Sequence, residues 1–228
     1  MIRTDPVTAA PVAPALDSAH VLRVAAEVFR ECGLADIALA PVADRLGVPC
    51  ALLTACFATK ELLAEAILAE ALRVLGIADT QAWTGYGTGM RKSLAAARSF
   101  PDGYILLARD AALLPAYQPS WLALRKRSAR RLQSLIWHPG QPPAEGARSP
   151  LNDVALQPMI DFNITAIRQW IETGDPSRDD LFLRWCGQMM RDWRHNTCEL
   201  LNLDTPEQDW PFDTEGPTLP RRSRPSEP

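Results

Sequence analysis

The sequence predicts an all-α protein in which a small N-terminal head of helices precedes a larger helical body. Three observations predict this fold class. Apolar residues recur every three or four positions in many stretches of the chain, which is the period of an amphipathic helix. Glycines and prolines separate these stretches. Because 47% of its 228 residues are hydrophobic, the chain is long enough to bury a sizeable core.

The first predicted helix begins after Ser18, the candidate N-cap, and ends at Gly33. Its apolar residues follow the spacing i, i+3, i+4 and i+7, and they are Leu22, Ala25, Ala26 and Phe29. This spacing places all four side chains on one face of the helix. That face is therefore expected to pack against a core.

Two short helices follow and meet at a glycine. An apolar group within residues 42–46 stops at Gly47, and a new segment over residues 48–57 starts at once. Two short helices joined by a tight turn are typical of a helix-turn-helix unit. Thr59 then occupies the position of an N-cap before a longer helix that reaches to about Asp79. The head is thus predicted to run directly into the body.

Residues 42–48 (VADRLGV), Phe57 and residues 60–63 (KELL) resemble, at ungapped spacing, the N-terminal signature of TetR-family regulators. The resemblance is strong over roughly residues 22–67 and architectural beyond them. It implies a DNA-binding head followed by an all-helical domain that binds a small ligand and dimerises. The expected segments are a disordered segment 1–16, a helix-turn-helix domain 17–67, a ligand-binding and dimerisation domain 68–203, and a disordered Pro/Arg tail 204–228.

The resemblance implies contacts with double-stranded operator DNA by residues of the head: Arg45, Cys50, Ala51, Thr54 and Lys60. Arg45 and Lys60 are expected to contact phosphates, and Ala51 or Thr54 is expected to meet a thymine methyl group.

The third helix departs from the family pattern. Pro49, Thr54 and Cys56 stand where the family usually has a hydroxyl, a tyrosine and often a histidine, and residues 49–57 contain no Arg, Lys, Asn or Gln. Over residues 18–62 four cations face five carboxylates, a net charge of −1, whereas DNA-binding heads are normally basic. Two hypotheses stay open: the head binds an operator, or it is a retained structural unit whose third helix packs on the body or on a partner.

Composition limits the other classes of function. A net charge of −3 gives no whole-protein attraction to nucleic acid or to anionic membranes. No apolar run approaches the length of a membrane span, so a cytoplasmic protein without a membrane partner is expected. His20, His138 and His195 show no catalytic spacing, and no enzyme activity or cofactor is expected.

The cysteines indicate no metal site. There are five, an odd number, without Cys-x-x-Cys or Cys/His pairs at zinc spacing, so buried or neutral thiols are expected. A redox switch through Cys50 and Cys56 is the alternative, although six positions along one helix align the two thiols poorly.

In the body, residues 83–89 are glycine-rich but follow no apolar strand, so they are predicted to be a flexible connection rather than a phosphate loop. Helices are predicted near 90–98, from Pro101, and over about 120–137. Residues 125–131 of the last one hold five cations, which form either a solvated face or an anion-binding patch. The resemblance implies an apolar cavity for a small effector, with the nearest aromatic residues expected to be Tyr86, Tyr104, Trp121 and Trp137.

The last two helices are predicted to form the dimer interface, with residues 174–176 as the break between them. The apolar residues on their stripes are Ile160, Ile164, Ile167, Ile171, Phe182, Trp185, Met189 and Trp193. Two such helices can form half of a four-helix bundle completed by a second subunit. The alternative is that both stripes belong to the subunit's own core. These expectations describe a homodimeric TetR-type repressor released by a small apolar effector; the alternative is a TetR-fold protein without specific DNA binding that binds an apolar molecule or a protein partner.

Overall fold

The computed structural model describes residues 17–80, 85–136 and 150–200. Within these ranges every regular element is a helix and none is a strand, which confirms the all-α fold class. The α-helices are α1 (Ser18–Cys32), α2 (Leu39–Leu46), α3 (Cys50–Cys56), α4 (Lys60–Thr80), α5 (Tyr86–Ser99), α6 (Pro101–Ile105), α7 (Gln118–Ile136), α8 (Pro150–Thr173) and α9 (Asp179–Leu200). The predicted disordered segment 1–16 and tail 204–228 lie outside the described residues.

The first helix is capped one residue earlier than expected. Asp17, not Ser18, is the N-cap of α1, and its carboxylate accepts a hydrogen bond of 3.0 Å from the Ala19 N–H. Aspartate and serine are about equally good N-caps, so composition alone did not separate the two neighbours. The helix ends at Gly33 as predicted, and Phe29 on its apolar face is completely buried.

Helices α2 and α3 are joined by the three-residue turn 47–49, and their axes are bent by 112°. Gly47 adopts the left-handed conformation with φ 67° and ψ 31°, which a residue with a side chain rarely adopts. Its N–H donates hydrogen bonds to the carbonyl oxygens of Ala43 and Asp44, and α2 ends there. Leu53 holds α3 in the core that α1 and α2 share.

Helix α4 packs against helices of both the head and the body. Thr59 caps it as predicted, because the Thr59 hydroxyl oxygen accepts a hydrogen bond of 3.2 Å from the Leu62 N–H. Leu63, Ile67 and Leu68 are completely buried. They join one continuous apolar cluster that extends from α1 to α9. The head and the body therefore share a core through α4.

The prediction of a flexible connection over residues 83–89 is wrong for its second half. Gly85 is the N-cap of α5, and Tyr86 begins the helix four residues before the expected start. Gly87 and Gly89 are buried, and α5 packs on α4. Tertiary packing contributes most of a helix's stability in a protein and here outweighs the low helix propensity of glycine. Residues 81–84 lie outside the described residues.

Pro101 starts α6 as predicted, with the proline in the first turn. The chain continues as a π-helical stretch, Leu106–Asp110, and a 3₁₀ turn, Pro115–Tyr117, before α7 begins two residues earlier than expected. The predicted loop after α7 lies outside the described residues. Helices α8 and α9 form a hairpin whose break falls at residues 174–178, where the glycine and proline predicted it.

No single helix in the described ranges has both the length and the apolar composition to cross a membrane. Helices α2 and α3 taken together pass the same test of length and composition, although they are bent sharply at the turn between them.

Candidate functional site

The outer face of α3 is small, uncharged and exposed. Cys50, Ala51 and Thr54, the α3 residues expected to meet DNA, all lie on it. Leu53 on the inner side is completely buried. The Thr54 hydroxyl donates a hydrogen bond of 2.9 Å to the Cys50 carbonyl oxygen, one turn earlier in the same helix. The face therefore presents methyl groups, a thiol and the lone pairs of one hydroxyl.

Arg45, expected to contact a phosphate, faces α1. Its Nη1 lies 2.8 Å from Glu27 Oε1, and its Nη2 lies 3.5 Å from Glu31 Oε2. All three side chains are exposed, so these ion pairs contribute little to the stability of the fold. They nevertheless place two carboxylates where a DNA phosphate would have to bind. The signal missed in the sequence is the i, i+4 spacing of Glu27 and Glu31, which puts both on one face of α1.

Lys60, the other expected phosphate contact, is the first residue of α4. Its Nζ lies 3.9 Å from Glu61 Oε1, at the outer limit of an ion pair. The Lys60 ammonium is thus less constrained than the Arg45 guanidinium. It also lies at the positive end of the α4 dipole, which favours a nearby anion.

Ion pairs connect α1 with the body. Arg30 Nε lies 2.7 Å from Asp102 Oδ1 of α6. Partial burial raises the pKa of Asp102, and the charge of Arg30 opposes that shift. Arg109, in the π-helical stretch, donates a hydrogen bond of 3.4 Å to the Arg30 carbonyl oxygen, and its Nη1 lies 3.8 Å from Glu172 of α8. These residues are far apart in sequence, so no local pattern indicated the contacts.

A partly open cavity of about 50 Å³ lies in the body, between α4, α5, α6, α7 and α8. Apolar side chains make up most of its wall, among them Leu75, Met90, Leu124, Leu132 and Ile164. A mostly apolar lining with a few polar groups is usual for a small-molecule site, but such sites commonly measure about 300–1,000 Å³, so this cavity is small for one.

Tyr86 and Tyr104, two of the four residues expected near the ligand, line this cavity. The Tyr86 hydroxyl donates a hydrogen bond to Asn163 Oδ1, and Asn163 Nδ2 donates one of 2.7 Å to the Met159 carbonyl oxygen. The Tyr104 hydroxyl donates to the Ile164 carbonyl oxygen at 3.3 Å. Burial raises the pKa of both phenols, so both stay neutral at pH 7. Sequence analysis missed Asn163, whose only signal was an amide beside the isoleucine stripe of α8.

The other two expected ligand residues do not line the cavity as described. Trp121 is half-buried near the start of α7, where the guanidinium carbon of Arg125 lies 5.6 Å from its ring centroid. The same guanidinium forms an ion pair with Asp161 of α8. Trp121 therefore belongs to the packing of α7 on α8. Trp137 lies outside the described residues.

The basic cluster of α7 is divided between two environments. Lys126 and Arg130 are exposed, as a solvated face requires. Arg127 and Arg131 instead line the cavity, and Arg127 donates a hydrogen bond to the Leu75 carbonyl oxygen of α4. The interpretation of the whole cluster as a solvated face is therefore correct for only part of it. The apolar neighbours of these arginines in sequence gave no sign of which ones turn inward.

The isoleucine stripe of α8 packs inside the chain. Ile160, Ile164 and Ile167 are buried in the subunit's own core, and Ile171 is half-buried against it. This corrects their assignment to a dimer interface and agrees with the alternative that the sequence left open. Periodicity identifies the apolar face of a helix but not the partner that covers it.

An apolar face does remain exposed on α9 and the outer side of α8. Trp185 is 50% exposed and Met189 is 42% exposed, whereas Phe182 is buried, with its ring stacked on Trp170 at 4.8 Å. A groove of about 1300 Å³ runs between the two helices, and the half-buried Trp193 also lines it. We call this surface the α8/α9 groove. It holds three of the four residues of α9 that were predicted at the interface: Phe182, Trp185 and Trp193.

The cysteines whose side chains are described differ in exposure. Cys186 is buried, and burial raises the pKa of its thiol to about 12. Cys32, Cys50 and Cys56 are exposed free thiols, so the expectation that the cysteines are buried does not hold for these three. Partial burial nevertheless raises the pKa of Cys32, which keeps that thiol neutral at pH 7.

No family model, no characterised protein and no solved structure matches the chain. A function for it must accordingly be inferred from the α3 face, the inner cavity and the α8/α9 groove.

Proposed function

We propose that the protein is a ligand-responsive transcriptional regulator of the TetR type, a repressor that a small apolar effector releases from its operator. The observation that carries the proposal is the geometry of α2 and α3, with axes bent by 112° around a three-residue turn headed by a left-handed Gly47. Helix-turn-helix units cross at about 90–120° over a turn of 3–4 residues that often contains glycine. The second helix of such a unit lies in the major groove, and α3 has its outer face free for that position.

The body supports an effector site that is coupled to the head. The cavity has Tyr86 and Tyr104 in its wall, and Arg30 and Arg109 join α1 to α6 and α8. An effector acts on DNA binding only if it binds one arrangement of the heads more tightly than the other. The shared core and these contacts make the position of the head depend on the body.

The α8/α9 groove supports a homodimer. Exposed large apolar side chains in one contiguous patch mark interaction sites on soluble proteins. Leu181 and Trp185, which line the groove, are 44% and 50% exposed, and Met189, one turn after Trp185 on α9, is 42% exposed. A twofold dimer uses the same surface on both subunits, so a second copy brings an equally apolar face. Such a dimer presents two α3 helices to successive major grooves.

The proposal is tested by binding of the purified protein to its own upstream intergenic DNA and to random DNA of equal length. The measurement is made at low and near-physiological salt, because non-specific binding rests on phosphate contacts that salt weakens. A preference for the upstream DNA that persists at the higher salt is expected. Weak binding that disappears equally for both DNAs would contradict the proposal.

Replacing Lys60 by Ala is expected to weaken binding to every DNA sequence alike. If Lys60 contacts one phosphate in each head of the proposed dimer, the slope of log K against log salt falls in magnitude by about 1.8, or about 0.9 for each contact, measured by fluorescence anisotropy across a salt series. Lys126→Ala is the matched control, since it removes the same charge from an exposed position on α7. An unchanged slope in the Lys60 variant excludes the contact.

A second function is favoured by a specific observation, the pairing of Arg45 with Glu27 and Glu31 beside an uncharged α3. In this alternative the protein keeps the fold and binds its ligand or a protein partner without recognising DNA. Specific DNA binding exceeds non-specific binding by about 4–10 kcal/mol, which a helix with one hydroxyl and no charge provides poorly.

The double variant Glu27→Gln/Glu31→Gln tests the observation behind this second function, the pairing of Arg45 with the two carboxylates. Release of Arg45 is expected to strengthen DNA binding and to steepen the salt slope of the proposed dimer by about 1.8, from one phosphate contact of about 0.9 in each head. The control is Asp36→Asn/Asp44→Asn, which adds the same charge to exposed positions of the head. Equal changes in the two double variants would mean that the carboxylates do not withhold Arg45 from DNA.

A further inference from the structure

One carboxylate joins helix α5 to the wall of the α8/α9 groove. Trp170 lines the groove near the end of α8, and its ring stacks on Phe182 of α9 with an interplanar angle of 5°. The Trp170 Nε1–H donates a hydrogen bond of 2.6 Å to Oδ1 of Asp179, the first residue of α9. Arg98, in the last turn of α5, donates to the same carboxylate from Nε at 2.9 Å and from Nη2 at 2.6 Å.

The Asp179 carboxylate is suited to hold both partners at once. A guanidinium that donates two hydrogen bonds fixes the plane of a carboxylate as well as its position. Burial raises the pKa of Asp179, but the hydrogen bonds from Arg98 and Trp170 outweigh that effect, and the pKa lies below its ordinary value. The group is therefore charged at pH 7. The side chains of Arg98 and Asp179 are 24% and 26% exposed, so solvent screens this ion pair less than one at the surface.

The glycine after α8 leaves room for the same ring. The Gly174 N–H donates a hydrogen bond of 2.8 Å to the Trp170 carbonyl oxygen. A Cβ added at Gly174 would overlap the Trp170 ring and would lie 2.6 Å from that oxygen, closer than side-chain carbons approach other atoms. A residue with a side chain here would displace the ring. The absence of a side chain at Gly174 and the hydrogen bond to Asp179 thus both favour the observed position of Trp170.

We propose that Arg98 is a positioning residue of the α8/α9 groove: acting through Asp179, it holds the Trp170 ring in the wall that a second copy of the chain contacts. The occupant is a second copy because one surface carries both the exposed Trp185 and the aromatic wall, so two copies related by a twofold axis each offer both parts. The inference rests on the proposed function, since it takes the groove to be the interface of the homodimer.

The first measurement compares Arg98→Gln with Arg91→Gln. Arg91 is the matched control, because it also joins α5 to the start of α9, through a more exposed ion pair of 2.7 Å with Asp180. Sedimentation velocity over a concentration series gives the dissociation constant of the proposed dimer. Arg98→Gln is expected to raise this constant at least about tenfold, and Arg91→Gln is expected to change it less than about twofold.

The outcomes separate this inference from the homodimer itself. Equal dissociation constants in the Arg98 and Arg91 variants, with a parent chain that dimerises, overturn the inference and leave the homodimer intact. A parent chain that stays monomeric at every concentration overturns both.

A double-mutant cycle tests whether Arg98 acts through Trp170. Trp170→Phe keeps an aromatic ring beside Phe182 but removes the N–H that Asp179 accepts. Adding Arg98→Gln to Trp170→Phe is therefore expected to change the dissociation constant less than about twofold, whereas the effects of independent sites would multiply. Full multiplication would show that Arg98 acts on the interface by another route, and the inference would fail.

Hydrogen exchange of the Trp170 indole N–H measures the positioning without the dimer. The experiment uses NMR in the Trp185→Asp background, in which the chain is expected to be monomeric, and Trp170→Phe assigns the signal by its loss. Exchange is expected to be at least about tenfold faster after Arg98→Gln than after Arg91→Gln, because the acceptor is no longer fixed. Arg98→Lys keeps the charge without the planar fork, so an intermediate rate is expected. Thermal unfolding shows whether each variant is folded, and equal exchange rates in folded variants overturn the role of Arg98.

Discussion

Trp185→Asp is expected to convert the proposed dimer into a monomer at micromolar concentration, with the dissociation constant of that dimer raised about a hundredfold or more. The variant places a carboxylate on the wall of the α8/α9 groove, where two apolar faces would have to desolvate it. Tryptophans at the centre of an interface commonly dominate the binding energy. Sedimentation velocity over a concentration series measures the change.

Leu113→Asp is the matched control for this variant. Leu113 is 77% exposed and does not line the groove, so the same substitution there is expected to leave the proposed dimer intact. Trp185 is itself half-exposed, and the Trp185 variant is expected to stay folded. If both variants sediment like the parent chain, the groove is not the dimer interface.

Phe29→Ala is expected to lower the free energy of unfolding by about 3–5 kcal/mol, since the ring is completely buried and its removal leaves a cavity. For a chain of this length each kcal/mol lowers Tm by about 2–4 °C, so a fall of about 10 °C is expected. The core is continuous from α1 to α9, which predicts one cooperative transition for head and body together. Calorimetry measures both the shift and the number of transitions.

Leu122→Ala controls for the loss of an aliphatic side chain at an exposed site. Leu122 is 56% exposed on α7, and a substitution there is expected to change stability by less than about 0.5 kcal/mol. Two separate transitions in Phe29→Ala, with the later one unchanged, would show that the head unfolds without the body and that the shared core is not cooperative.

The head was predictable because its structure is decided by neighbours in sequence. The stripe that contains Phe29, the turn at Gly47 and the cap at Thr59 all depend on contacts within a few residues. Where neighbours offered equal alternatives, as at Ser18 and Asp17, the sequence did not separate them.

The body was less predictable because its decisive contacts join distant residues. Periodicity located the apolar face of α8 but not its burial beneath the subunit's own helices. Tyr86 and Tyr104 were expected at the cavity as aromatic residues, whereas Asn163, Arg127 and Arg131 are polar and turn inward only in the folded arrangement. The low helix propensity of glycine likewise led to a wrong prediction at the start of α5, because packing on α4 stabilises the helix there.

Helix α4 connects the proposed effector site with the proposed DNA surface. Its first residue, Lys60, lies at the head, and Leu75, fifteen positions later, lies in the wall of the cavity. At a rise of about 1.5 Å per residue the two points are about 22 Å apart along one continuous helix. The Leu75 carbonyl is held by Arg127, one of the two arginines that line the cavity. A displacement of Arg127 is therefore expected to move the same continuous helix that begins with Lys60.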